Sequence, residues 1–217
     1  MIGKIKEIIK SILEEEQKNT SKDKIVFIDP EALRESQAPP EPEMSLVGLF
    51  CEVVDEKVAE IVHAILYLNE TNRVLPDDKK RPVEFYISTY GGNADDMFAL
   101  YDVMRQVREE TEIHTIGMGK VMSAGVPLLA AGTKGKRKIG KNCRVMIHSV
   151  VAGNHGPIHN LINEMEAVEQ IQKMYINCLV SETNMTKKDV KKMLERNVNV
   201  YLSAEEAVEL GIADIII

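Results

Sequence analysis

Apolar residues recur at helical spacing in several stretches of the chain and gather into short runs between them. In residues 2–16, Ile2, Ile5, Ile8, Ile9, Ile12 and Leu13 fall on one face and predict an amphipathic helix. Its opposite face mixes Lys with Glu, which favours packing against protein over a membrane surface. Residues 36–43, SQAPPEPE, read as a Pro-rich linker or extended arm. The first 44 residues therefore form an N-terminal helix and arm, and the main domain occupies 45–217.

Within that domain, 46–54 has strand character. Asp55 is placed to cap a helix with the stripe Val58, Ile61, Val62, Ile65 and Leu68. Residues 70–82 read as a charged loop, and 83–88 as the next strand. A tight turn at Thr89-Tyr90-Gly91-Gly92 leads into a helix over 94–108. A strand at 115–118, a Gly-flanked turn, a helix at 124–131 and a strand at 144–148 follow. A long helix over 158–183 carries Ile158, Leu161, Ile162, Met165, Val168, Ile171, Tyr175, Cys178 and Leu179. Thr186 with Asp189, and Ser203 with Glu206, have the spacing of capping boxes. The first opens a helix ending near Arg196, and Gly211 stops the second. Strands alternating with helices predict an α/β domain with a mainly parallel sheet.

Composition narrows the function classes. The net charge of −7 disfavours general affinity for nucleic-acid phosphates. No run of about 18 apolar residues offers a membrane-spanning helix. The first residues carry no secretory cleavage pattern. Cys51, Cys143 and Cys178 are widely spaced in apolar surroundings, so they read as buried free thiols in a reducing, cytoplasmic setting. No zinc spacing and no phosphate-binding G-x-x-x-x-G-K-[ST] occurs, so no metal and no cofactor is expected.

Three segments fit one reaction. Gly119-Lys-Val-Met-Ser123-Ala-Gly125 places a serine at a sharp turn between strand and helix. Its hydroxyl is exposed there, and the N–H of Ala124 is left to face a developing oxyanion. The plainer alternative is that Ser123 only caps a helix. The Gly91-Gly92 turn supplies a second N–H, from Gly92, for the same oxyanion. His148 closes a strand, where it serves either as a structural residue or as a general base.

Together these segments resemble the proteolytic subunits of the Clp (caseinolytic) protease family. The family serine motif is similar to residues 119–125, and Leu128 to Arg137 follows its consensus. Arg144-Val-Met-Ile-His148 keeps the family's histidine string, and Ser88-Thr-Tyr-Gly-Gly92 stands at its oxyanion turn. The family's C-terminal L-S-A-x-E-A pattern runs from Leu202 to Asp214. The resemblance covers about 46–217. It implies a crotonase-like α/β fold with the helix at 158–183 as a protruding handle. It also implies Ser123 as nucleophile and His148 as base, in a serine endopeptidase that hydrolyses unfolded polypeptides. Two stacked heptameric rings, and a Clp/Hsp100 ATPase that feeds them, belong to the same implication. Tyr86 and Tyr101 match two aromatic positions of the family's ATPase-docking pocket, and Glu84 stands where a third aromatic is usual.

The resemblance breaks at the third member of the triad. Counting back from Leu202 puts Asn199 where the family has aspartate, and Val198 where it has arginine. Asparagine can orient an imidazole but brings no charge to stabilise the imidazolium, so attenuated activity is expected. Two other readings stand beside an active peptidase. One is a weak or inactive ring subunit that assembles with an active paralogue. The other is a crotonase-type acyl-CoA enzyme, which shares the fold but needs no paired serine and histidine.

Overall fold

The computed structural model describes residues 45–195 and 198–217. The predicted helix at 2–16 and the arm at 36–43 lie outside the described residues.

Strand β1 (Leu46–Leu49) is shorter than the 46–54 expected, and helix α1 spans Asp55–Val74. A single 3-10 turn, Asp77–Lys79, precedes β2 (Val83–Thr89). Helix α2 (Ala94–Val107), strand β3 (Ile113–Met122) and the short helix α3 (Gly125–Ala130) come next. Strands β4 (Lys138–Ile139) and β5 (Arg144–Ile147) precede the long helix α4 (Ile158–Glu182). The chain closes with α5 (Lys187–Leu194), β6 (Val200–Leu202), α6 (Ala204–Glu209) and β7 (Ile215–Ile216).

These strands form one sheet in the order β1-β2-β3-β4-β7. Every pairing is parallel except that of β5 with β6. Strict alternation buries Val83, Phe85, Ile87 and Thr89 of β2, as a strand packed on one face requires. Helices α1 and α2 cover that region with Ile61, Ile65, Leu100 and Met104. β3 serves two neighbours. Its first half pairs with β4 through Ile116 and Gly117, and its second half pairs with β5 through Lys120, Val121 and Met122. Gly119 lies between the halves at φ +66, a backbone that favours glycine, and lets one strand change partners there.

Several expectations are corrected. The strand predicted at 115–118 extends to Met122, so the Gly-flanked turn is part of β3. Asp55 is the first residue of α1, not its cap; Val54 holds that place. The first half of the loop predicted at 70–82 continues α1, because Asn69 and Asn72 are buried in a polar network. Asn72 Nδ2 donates to the Arg81 carbonyl at 2.8 Å and to Thr111 Oγ1 at 3.2 Å, and Thr111 Oγ1 donates to Asn69 Oδ1 at 2.7 Å. Helix α5 ends at Leu194 rather than near Arg196. All three cysteines are free, but Cys51 is exposed. Burial pushes the thiols of Cys143 and Cys178 up to about 11, which keeps them protonated at neutral pH.

Both capping boxes form reciprocally, at Thr186/Asp189 and at Ser203/Glu206. The apolar stripe of α4 divides in two. Its C-terminal part buries Tyr175, Ile176, Cys178 and Leu179 in the core. Its N-terminal part leaves Ile158 at 69%, Ile162 at 48% and Met165 at 67% exposure. Glu182, the last residue of α4, is buried and takes the guanidinium of Arg108 at 2.9 and 3.0 Å and the Tyr101 hydroxyl at 2.9 Å. Burial alone would raise its pKa; Arg108, Tyr101 and Lys134 outweigh that and hold it below the ordinary value.

Candidate active site

Ser123 occupies the joint between β3 and α3 and has φ +52; it is the sole non-glycine with positive φ among the described residues. That left-handed backbone is costly for a residue with a Cβ, and it persists only where surrounding contacts impose it. Three contacts do so here. The Ser123 N–H donates to the Met146 carbonyl of β5 at 2.8 Å. The Ser123 carbonyl accepts the N–H of Val126 at 3.0 Å. It also accepts the hydroxyl of Tyr175, on α4, at 3.2 Å. Burial raises the Tyr175 phenol, so at neutral pH it remains a donor.

The strand at 144–148 was expected to end on histidine. β5 ends at Ile147, and His148 is the next residue. Parallel pairing sets Met146 beside Met122, so the two chain segments leave the sheet together. His148 Nε2 then lies 2.8 Å from Ser123 Oγ. When the ring carries its proton on Nδ1, Nε2 is free to accept the serine proton, the geometry required of a general base. The segment after His148 is pinned on both sides. Ser149 Oγ donates to the Leu194 carbonyl at 2.7 Å, and the Val150 N–H donates to Gln172 Oε1 at 2.8 Å.

Gly91 makes the close approach between the β2 turn and the serine possible. A Cβ built on it would stand 2.6 Å from the Ser123 Cβ and 3.1 Å from the Ala124 nitrogen. Any other residue would drive the two apart. The turn is tied to the 53 position by Val53 N–H to the Gly91 carbonyl and Asn93 N–H to the Val53 carbonyl, both at 2.8 Å. The N–H groups of Gly92 and Ala124 donate to no backbone carbonyl among the described residues. Both residues line the cleft of about 480 Å³ that also holds Ser123 and His148. Two unspent donors beside a serine hydroxyl can receive an oxyanion.

Asn199 directly precedes β6, whose antiparallel pairing sets Val200 opposite Ile147. The same register puts Asn199 opposite His148, and both line a shallow cavity of about 370 Å³. Asn199 is nonetheless exposed and makes no hydrogen bond to the imidazole. Tyr86 is half-buried on β2. Tyr101 is 3% exposed, and its hydroxyl donates to buried Glu182, so it belongs to the core. Sequence reasoning read Tyr175 only as part of an apolar stripe; a lone hydroxyl among aliphatic residues was the available signal that it holds a partner. Among the described residues, no group of three or more His, Cys, Asp or Glu could hold a metal ion, and no helix is long and apolar enough to cross a membrane.

The family model for Clp protease matches residues 44–217. The ATP-dependent Clp protease proteolytic subunit 2 of Frankia casuarinae is 31% identical over 172 residues, covering 79% of this chain and 75% of that protein. The subunit 2 protein of Corynebacterium jeikeium is 31% identical over 173 residues, covering 79% and 78%. The subunit 1 protein of Corynebacterium glutamicum is 30% identical over 173 residues, covering 79% and 78%. The matched span takes in the sheet from β1 to β7 and the whole cleft around Ser123 and His148, and the chain belongs to the Clp protease family.

Proposed function

We propose that this chain is the proteolytic subunit of an ATP-dependent Clp protease, a serine endopeptidase with Ser123 as nucleophile and His148 as general base. The observation that carries the reading is the 2.8 Å contact between Ser123 Oγ and His148 Nε2, made by the serine whose backbone is held in a left-handed conformation. As Oγ attacks a peptide carbonyl, its proton passes to Nε2, and the tetrahedral oxyanion settles against the N–H groups of Gly92 and Ala124. The protonated imidazole then gives its proton to the leaving amine, and water repeats the sequence on the acyl-enzyme. Asn199 brings no charge to the imidazolium, so turnover is attenuated relative to a triad with aspartate.

Assembly completes the reading. Ile158, Ile162 and Met165 form an uncovered apolar row on α4, suited to meshing two heptameric rings around a chamber. Unfolded polypeptide would reach that chamber from a hexameric Clp/Hsp100 ATPase in the cytoplasm. Tyr86 is the remaining candidate for ATPase docking, since Tyr101 offers almost no surface.

A second reading is favoured by the absence of a hydrogen bond between Asn199 and His148: a ring subunit of little activity that assembles with an active paralogue. Labelling with a fluorophosphonate, followed by peptide mapping, separates the two. Label on Ser123, lost in Ser123→Ala with assembly retained, is expected. An unlabelled Ser123 in the assembled protein overturns the catalytic reading.

A further inference from the structure

The catalytic sequence leaves one charged group in the cleft without a task. Apart from His148, Asp95 is the sole ionisable acid or base among the residues that line the 480 Å³ cavity, save the phenols of Tyr90 and Tyr175. Its place is fixed at the start of α2, where Asn93 Oδ1 accepts the N–H of Asp95 at 2.8 Å and that of Asp96 at 3.2 Å. No cation and no hydrogen-bond donor reaches the Asp95 carboxylate among the described residues. Lys120 does not line the cleft; it stacks over Tyr90 at 4.5 Å from the ring centre. Asp95 itself is exposed, and the rest of the lining is mixed: Asn93 and Ser149 add neutral polar groups, while Ala94, Met97, Val168, Ile171 and Tyr175 supply apolar surface.

A cleft with apolar surface on one wall and a single exposed, unpaired carboxylate is complementary to a long side chain with an aliphatic stem and a cationic tip. Lys and Arg are those side chains. We infer that Asp95 is a specificity-determining residue, and that the cleft favours polypeptide substrates with Lys or Arg beside the scissile bond. This rests on the reading of Ser123 as the nucleophile. The stem would lie on Met97, Val168 and Ile171, and the cation would meet the Asp95 carboxylate. An acidic side chain in the same subsite would be repelled.

Three fluorogenic peptides test this, identical except for Lys, norleucine or Glu next to the leaving group, assayed on the assembled protein. The wild type should cleave the Lys peptide up to about fivefold faster in kcat/KM than the norleucine peptide, the scale of one solvent-accessible ion pair. It should cleave the Glu peptide more slowly than either. In Asp95→Asn the Lys/norleucine ratio should fall to about one, and Asp95→Lys should reverse the order of the Lys and Glu peptides. Added salt should shrink the wild-type ratio. An unchanged Lys/norleucine ratio in Asp95→Asn, with the norleucine peptide still cleaved, overturns the inference. If the wild type cleaves none of the three, the reading of Ser123 as nucleophile falls, and this inference falls with it.

Discussion

Asn199→Asp puts a carboxylate at the position proposed as the third member of the triad. The pairing of Val200 with Ile147 sets residue 199 opposite His148, and opposed residues of antiparallel strands hold their Cβ atoms about 4.5–5.5 Å apart. A carboxylate about 5 Å from the imidazolium, at an exposed position with an effective dielectric of about 40–80, is worth roughly 0.8–1.7 kcal/mol. That corresponds to roughly a fourfold to eighteenfold gain in rate. The gain falls on kcat rather than KM, because the charge acts only as the imidazolium forms. The assay is hydrolysis of a short fluorogenic peptide at pH 7–8 by wild type and variant, with sedimentation velocity on the same samples. A correctly assembled variant no faster than wild type refutes the placement of Asn199 as the third member of the triad, while leaving the contact between Ser123 and His148 untouched.

Tyr175→Phe removes the hydroxyl that donates to the Ser123 carbonyl. It should lower thermal stability by about 1 kcal/mol and lower kcat by less than about tenfold with KM little changed; a rise in KM alone would show that Tyr175 only lines the cleft. Met165→Asp puts a charge into the uncovered row of α4, and light scattering should show particles smaller than the wild-type assembly. Ile171 is no substitute for this test, because it is half-buried and lines the cleft. Burial alone would raise the pKa of Asp214; its bonds to Arg137 outweigh burial and hold it below the ordinary 3.8. The pair therefore contributes its full stability above about 3.8 and loses it as the pH falls through the lower folded value. Thermal midpoints measured from pH 6 to pH 2 should fall less steeply in Asp214→Asn than in wild type.

Ser123 and His148 could be picked out as candidates because each sits in a motif whose neighbours are small or apolar, and the fold places them 2.8 Å apart. The capping boxes were legible because their signal is local, three residues long and independent of the rest of the fold. What was hidden depends on distant partners. Lys120, Val121 and Met122 look like the end of a turn after Gly119, yet β5 supplies their ladder and makes them strand. Asn72, within the charged stretch 70–82, looks like a loop residue, yet Thr111 and the Arg81 carbonyl satisfy it inside the fold. Glu182 looks like the polar end of a helix, but Arg108, 74 positions away in sequence, makes its burial tolerable. Asp95 carries no sequence signal at all, since its interest lies in the cleft around it and not in its neighbours along the chain.

The left-handed backbone at Ser123 has a consequence for how this sequence can drift. A non-glycine residue held there costs on the order of 1 kcal/mol, and every folded copy of the chain bears that cost whether or not it meets substrate. Glycine would remove it, with only one CH2OH group lost. A lineage that used this subunit solely as a structural partner would gain stability from that exchange and lose nothing. Serine at φ +52 is therefore the kind of residue that selection for chemistry retains and selection for stability discards. Comparing the thermal midpoints of Ser123→Gly and Ser123→Ala would measure that tension directly, since both lack the hydroxyl and only one is relieved of the strain.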